Sequence, residues 1–148
     1  MRLTAIPTLT ALLLAASAAL LPASSHAQAS AQKSERYKLV IQVSENNPAL
    51  WNLALNNAEN VQEALGKDAG DIEIVAYGPG LNMLKDDSKV APRLNAALDH
   101  SVSLLACGTT MRKMKITKGD LAAGVNVVPA GVVEIMKRQK EGWSYIRP

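Results

Sequence analysis

Cys107 is the one cysteine in the 148-residue chain, and its surroundings give it chemical interest. It ends the apolar run Val102-Ser103-Leu104-Leu105-Ala106 and is followed at once by Gly108-Thr109-Thr110-Met111. That pattern reads as a strand running through a tight turn into a helix. A thiol at such a junction faces the partial positive charge of a helix N-terminus, which favours thiolate over thiol. Persulfide chemistry asks for little more: a lowered pKa, access, and donors that cradle an anion. The N–H groups of Gly108 to Thr110, the Thr109 and Thr110 hydroxyls and nearby Arg112 are candidates for that cradle. A thiol in an apolar strand end also packs well as a small hydrophobe, so the sequence leaves Cys107 as either a reactive sulfur or inert filling.

Other constellations are poorer. His100 closes the helix before the Cys107 strand, and a parallel strand carries the two about 20 Å apart, which rules against a Cys–His pair. The remaining histidine, His26, lies in the expected leader. Asp86, Asp87 and Glu45 read as surface or capping residues. There is no spaced carboxylate pair with a partner, no Ser-His-Asp set, no phosphate-binding glycine loop and no zinc pattern, so no resident metal or cofactor is expected. Cys107, Met111 and Met114 are soft ligands close in sequence, and copper(I) binding is a third-ranked alternative. The cluster Arg112-Lys113-Lys115-Lys118 reads as a solvated face.

The elements that position Cys107 follow from periodicity. Tyr37–Val43 is a β-branched first strand. Asn47 and Pro48 open a helix to Leu65, along which Leu50, Leu53, Ala54, Val61, Ala64 and Leu65 recur near helical spacing, and Gly66 is its stop. Ile72–Tyr77 is a second strand, ending in the loop Gly78-Pro79-Gly80, where backbone comes close to a ligand or another chain. A short turn over Leu81–Leu84 precedes a helix from Lys89 to His100, capped by Asp87 or Ser88. Val102–Cys107 is the third strand, Thr110–Lys115 a short helix, Val125–Val128 a fourth strand, Ala130–Gln139 a last helix and Trp143–Ile146 an edge strand. Strands alternating with helices specify an open α/β sheet of five mostly parallel strands with helices on both faces. Functional crevices of such sheets lie at the carboxyl ends of the strands, where Ser44–Asn47, Tyr77–Gly80 and Cys107–Thr110 gather.

The ends set the compartment. Arg2, the apolar stretch Leu9–Leu21, Pro22 and the small-x-small triplet Ser25-His26-Ala27 form a secretory leader, shorter than the ~20 apolar residues a membrane span needs. Cleavage after Ala27 leaves 121 residues (148 less 27), one domain's worth, and lowers the formal charge from +3 to +2 by removing Arg2 alone. Residues 28–36 read as a flexible lead-in and 37–148 as the domain. The mature protein is expected to be periplasmic and off the membrane. Its charge is too weak, and its basic residues too scattered, for nucleic acid.

Several segments resemble the DsrE/DsrF-like family: Ala106-Cys107-Gly108-Thr109-Thr110-Met111; Gly124-Val125-Asn126-Val127-Val128-Pro129-Ala130-Gly131-Val132; Gln139 to Pro148; Trp51 to Ala58; and Gly78-Pro79-Gly80-Leu81. The resemblance spans Tyr37 to Pro148. It implies a flavodoxin-like α/β sandwich that assembles as a homo-oligomer, a trimer or hexamer. It also implies sulfur relay, in which a cysteine at the position of Cys107 carries a persulfide between a donor and an acceptor protein or small thiol. Two features differ from the relay proteins. The residues after Cys107 are Gly-Thr-Thr-Met rather than a longer apolar run, and the chain carries a leader. Both point away from tRNA thiolation. The resemblance thus sets a sulfane-sulfur carrier or sulfurtransferase, with Cys107 central and Gly108, Thr109, Thr110, Arg112, Gly78 and Gly80 around it, against a non-catalytic oligomeric module that holds a small ligand or a protein.

Overall fold

Strands and helices alternate along the chain in the computed structural model, which describes residues 36–67 and 70–148. The expected leader, and the lead-in up to residue 35, lie outside the described residues. β1 (Tyr37–Val43) leads into α1 (Pro48–Leu65), and β2 (Gly70–Ala76) into a 3-10 helix (Gly78–Leu84) and α2 (Ala91–Asp99). β3 (Val102–Cys107) runs directly into α3 (Gly108–Met114), and a 3-10 turn (Lys118–Asp120) leads on to β4 (Asn126–Val128). α4 (Gly131–Lys140) and β5 (Ser144–Ile146) complete the chain.

The sheet has the order β4-β3-β2-β1-β5, and every pairing is parallel. From β1 the chain steps outward to β4. It then returns through α4 to the far side of β1, so α4 must cross the face opposite α1 and α2 for its connection to be right-handed. β5 lies at an edge, as its short pattern predicts.

Alternation along the strands divides the core. Leu39, Ile41, Ile72, Ile74, Val102 and Leu104 belong to the large cluster that includes Trp51, Ala54, Leu55 and Ala58 of α1 and Leu94 and Ala97 of α2. Val40, Val75 and Leu105 point the other way and meet Ile135 of α4 in a much smaller cluster. That second face needs another anchor. Arg138 of α4 supplies it, donating through Nε and NH2 to the two Glu73 carboxylate oxygens of β2 at 2.8 Å each. Its guanidinium lies 4.9 Å from the centre of the Trp143 ring.

The helix starts and stops follow local chemistry. The Asn47 side chain accepts the Ala49 N–H, Pro48 sits in the first turn of α1, and Gly66 ends it with φ +93°. Leu53 and Leu65, though at helical spacing, are 43% and 41% exposed, because the buried stripe of α1 runs Trp51, Ala54, Leu55, Ala58 instead. Several expectations need correction. α2 begins at Ala91 rather than Lys89. Ser88 closes a turn just before it, its hydroxyl accepting the Val90 N–H and its carbonyl the Ala91 N–H. The Gly78-Pro79-Gly80 loop is the first turn of the 3-10 helix, and α3 starts at Gly108, two residues earlier than its periodicity indicated.

Candidate functional site

Cys107 is the last residue of β3, and alternation turns its side chain toward α4, on the side of Leu105 and away from Leu104 and Ala106. The register Cys107↔Val128 sets the end of β4 beside it. The loop Pro129-Ala130 therefore passes close to α3, and α4 starts directly over the sulfur. Gly131 is the point of closest approach. A Cβ built there would lie 3.2 Å from the Cys107 Cβ, 3.2 Å from Val75 Cγ1 and 3.3 Å from the Tyr77 Cβ. Gly131 has no positive φ, so proximity and not backbone conformation asks for glycine.

The side chain of Cys107 is buried, with the residue 5% exposed. Burial alone pushes its thiol pKa up. The N–H of Gly131, the Thr110 hydroxyl and the N–H groups of Thr110 and Thr109 outweigh that and hold the thiol below its ordinary value. The Gly131 donor comes from an end that lacks a cap of its own: Ala130, at the N-cap of α4, has no side chain able to accept. The site thus offers a thiolate N–H and O–H donors from two helix starts, without a histidine.

The three loops expected to gather at the strand ends do meet. The Gly78 N–H donates to Thr110 Oγ1 at 2.9 Å, and the Tyr77 N–H donates to the Val43 carbonyl at 3.1 Å. Gly108 sits against the carbonyl of Val128, which a Cβ would approach to 3.1 Å. Gly80, expected beside a ligand, faces the backbone of Val43 and Ser44 and lets the 3-10 helix close onto β1. Arg112 donates to Thr109 Oγ1 at 3.1 Å, and the Thr109 hydroxyl donates to the Pro129 carbonyl at 3.1 Å, so this pair ties α3 to the β4–α4 loop. Met111 is buried in the large core while Met114 is exposed, which gives the two methionines different surroundings. Among the described residues no group of three or more His, Cys, Asp or Glu side chains could hold a metal ion.

The model of the DsrE/DsrF-like family matches residues 26–148. The chain belongs to that family. Among solved structures, this DsrE-like chain is 36% identical to MTH1491, a protein of unknown function from Methanobacterium thermoautotrophicum. That alignment has a TM-score of 0.72 and covers 76% of this chain and 99% of the other. The ychN protein from E. coli is 16% identical with a TM-score of 0.64, over 76% of this chain and 99% of its own. BT1422, a conserved protein of unknown function from Bacteroides thetaiotaomicron, is 18% identical with a TM-score of 0.62, over 75% and 94%. These last two share the fold. No curated protein matches.

Three residues of this DsrE-like chain escape a reading of the sequence, one beside Cys107 and two that anchor α4. Gly131 reads simply as part of a helix start, and nothing local signals that it touches Cys107, 24 positions earlier (131 less 107). The one available signal was a glycine in the first turn of a helix without a capping side chain. Glu73 and Arg138 also read as ordinary strand and helix charges, yet Glu73 is buried and its pairing with Arg138 holds α4 on the sheet.

Proposed function

We propose that this DsrE-like protein carries sulfane sulfur as a persulfide on Cys107. The observation that supports this most directly is the set of N–H and O–H donors around the sulfur, which favours the thiolate despite burial. In the loading step the thiolate attacks the terminal sulfur of a polysulfide or persulfide donor. A Cys107 S–S bond forms, the donor's terminal S–S bond breaks, and the donor leaves as its own thiolate. An acceptor thiolate then attacks the outer sulfur and Cys107 returns as thiolate. The sulfane sulfur keeps its oxidation level throughout, so no external oxidant enters.

The test is the intact mass of the purified protein before and after polysulfide, with Cys107→Ser alongside. A gain of whole sulfur atoms in wild type alone, reversed by reductant and passed to a second thiol, is expected. A folded, unoxidised protein that gains nothing would make Cys107 structural and favour a ligand- or protein-binding module.

The same proposal includes export and self-association. Export is supported by the leader pattern ending at Ala27, and a mature N-terminus at Gln28 in the periplasmic fraction is its check. A homotrimer is supported by the family resemblance and by the outer face of α4, where Val132, Val133 and Met136 are 53%, 46% and 63% exposed. Light scattering should return a multiple of the protomer mass, and Met136→Glu should lower it.

A further inference from the structure

We propose that the cleft between the β1–α1 loop and the segment joining the 3-10 helix to α2 is a second binding site, and that its ligand is a small hydroxylated organic acid, such as a sugar acid. The site is independent of the chemistry of Cys107. The sulfur turns toward α4, whereas Trp51, in the cleft, belongs to the core on the opposite face of the sheet.

The cleft holds about 460 Å³. That is the size of a small-molecule site and far more than one water or inorganic ion fills. It lies beyond the carboxyl ends of β1 and β2, where open parallel sheets bind their ligands. Asn46 and Pro48 form one wall beside Trp51. Asn82, Lys85 and Ser88 form the other, together with Asp87 and Lys89. The Trp51 indole N–H is taken by the Glu45 carbonyl at 2.8 Å, so Trp51 presents apolar atoms rather than a donor. With Pro48 it suits the carbon skeleton of a ligand.

The charges in the lining set the sign. Lys85 and Asp87 neutralise each other, with Nζ 3.0 and 3.1 Å from the two carboxylate oxygens. Lys89 has no ion pair among the described residues, which leaves one uncompensated ammonium. An ammonium only donates, so its complement is an anionic oxygen. The N-terminus of α1 is not the source of this preference, because Pro48 has no N–H and the Ala49 N–H is taken by the Asn47 side chain.

The uncharged groups set the rest of the ligand. Asn46 offers both a carbonyl oxygen and an amide. Asn82 spends one N–H on the Pro79 carbonyl at 3.2 Å and keeps its side-chain oxygen and a second N–H. The Ser88 hydroxyl accepts the Val90 N–H at 3.4 Å and keeps its proton. Walls that both donate and accept are matched by ligand hydroxyls, which do the same. A carboxylate beside several hydroxyls fits the charge, the polar walls and the volume together.

The experiment is an NMR titration of the purified protein with D-gluconate, D-galacturonate and malate, read at the Trp51 indole and the Asn46 and Asn82 side-chain amides. Glucose is the uncharged control and acetate the bare carboxylate. At least one hydroxy acid is expected to move these signals saturably, with the Gly131 amide unmoved and with glucose and acetate about tenfold weaker or more. Lys89→Gln, at an exposed position that should not disturb folding, should weaken that acid about tenfold or more, as loss of a hydrogen bond to a charged group implies. Asn82→Ala should weaken it a few-fold, and Cys107→Ser should bind as wild type does. Signals unmoved by all three acids at millimolar concentration, glucose as tight as the acids, or a Lys89→Gln protein of wild-type affinity would overturn the assignment. Loss of binding in Cys107→Ser would overturn it too, by placing the ligand at the sulfur.

Discussion

Replacing Gly131 with alanine tests the geometry of the site at its tightest point. The added methyl would stand 3.2–3.3 Å from three atoms, and two of them, the Cβ atoms of Cys107 and Tyr77, are fixed to the backbone and cannot rotate away. The third belongs to Val75, which is fully buried. Overpacking of this kind costs about 1–3 kcal/mol. Against it stands a gain of about 0.4–1 kcal/mol from reducing the freedom of the unfolded chain. The balance is a loss of about 1 kcal/mol, within a span of about 0 to 2.6 kcal/mol, read as a lower urea midpoint with the slope unchanged. The relief available is a shift of α4 away from β3, which lengthens the Gly131 N–H contact to the sulfur. The thiol midpoint should therefore rise together with the loss of stability, since a hydrogen bond to a charged group contributes about 1.5–3 kcal/mol. A Gly131→Ala protein as stable as wild type with an unmoved thiol would refute both the close approach and the donor role.

Further outcomes follow from the same structure. Arg138→Met leaves Glu73 buried without its two-pronged partner and should cost about 3–5 kcal/mol in urea unfolding, with Arg138→Lys a poor rescue because it lacks the planar fork; a loss under about 1 kcal/mol would discount the pair as the anchor of α4. Gly80→Ala puts a methyl 2.5 Å from the Val43 carbonyl oxygen, a backbone atom, and should destabilise by about 3 kcal/mol or fail to fold; a wild-type urea midpoint would contradict that packing. The lowered Cys107 pKa adds stability that is fully present above the unfolded thiol value of about 8.5 and is lost as pH falls through the lower folded value. The stability difference between wild type and Cys107→Ser should therefore grow with pH across that window, and a flat difference would show that the donors do not favour the thiolate.

The architecture was legible because its signals are local. β1 and β3 lie where their β-branched and apolar runs place them, and α1 runs from the Asn47-Pro48 start to the Gly66 stop. The mismatches have physical sources. Leu53 and Leu65 satisfy helical spacing, yet the face that meets the sheet is chosen by Trp51, whose indole N–H also donates to the Glu45 carbonyl, a tertiary constraint no window of sequence displays. The position of Cys107 at a strand-to-helix junction was also visible, as were Thr110 and Gly78 as candidates. What joins them was not. The bond from Gly78 to Thr110 and the approach of Gly131 depend on the order of strands and on the Cys107↔Val128 register, which composition and periodicity leave open.

The thinness of the second face links the site to the fold. α4 meets the sheet through Ile135 and its small cluster at mid-helix, through Arg138 with Glu73 near its C-terminal end, and through Gly131 on the sulfur at its start. The first two hold its length in place and the third fixes its tip. A thiolate strengthens the third, because the N–H donors favour the charged form. By linkage, whatever removes the Gly131 N–H from the thiolate must raise the thiol pKa, and protonating the sulfur must weaken its hold on the tip of α4 by the same free energy. A persulfide adds an atom to a buried sulfur whose residue lies against the start of α4, so loading should displace the first turn of α4. That displacement has a direct readout: amide hydrogen exchange at Val132 and Val133 should quicken in the loaded protein while β3 stays protected. Exchange unchanged on loading would mean that the outer sulfur leaves the pocket by another route.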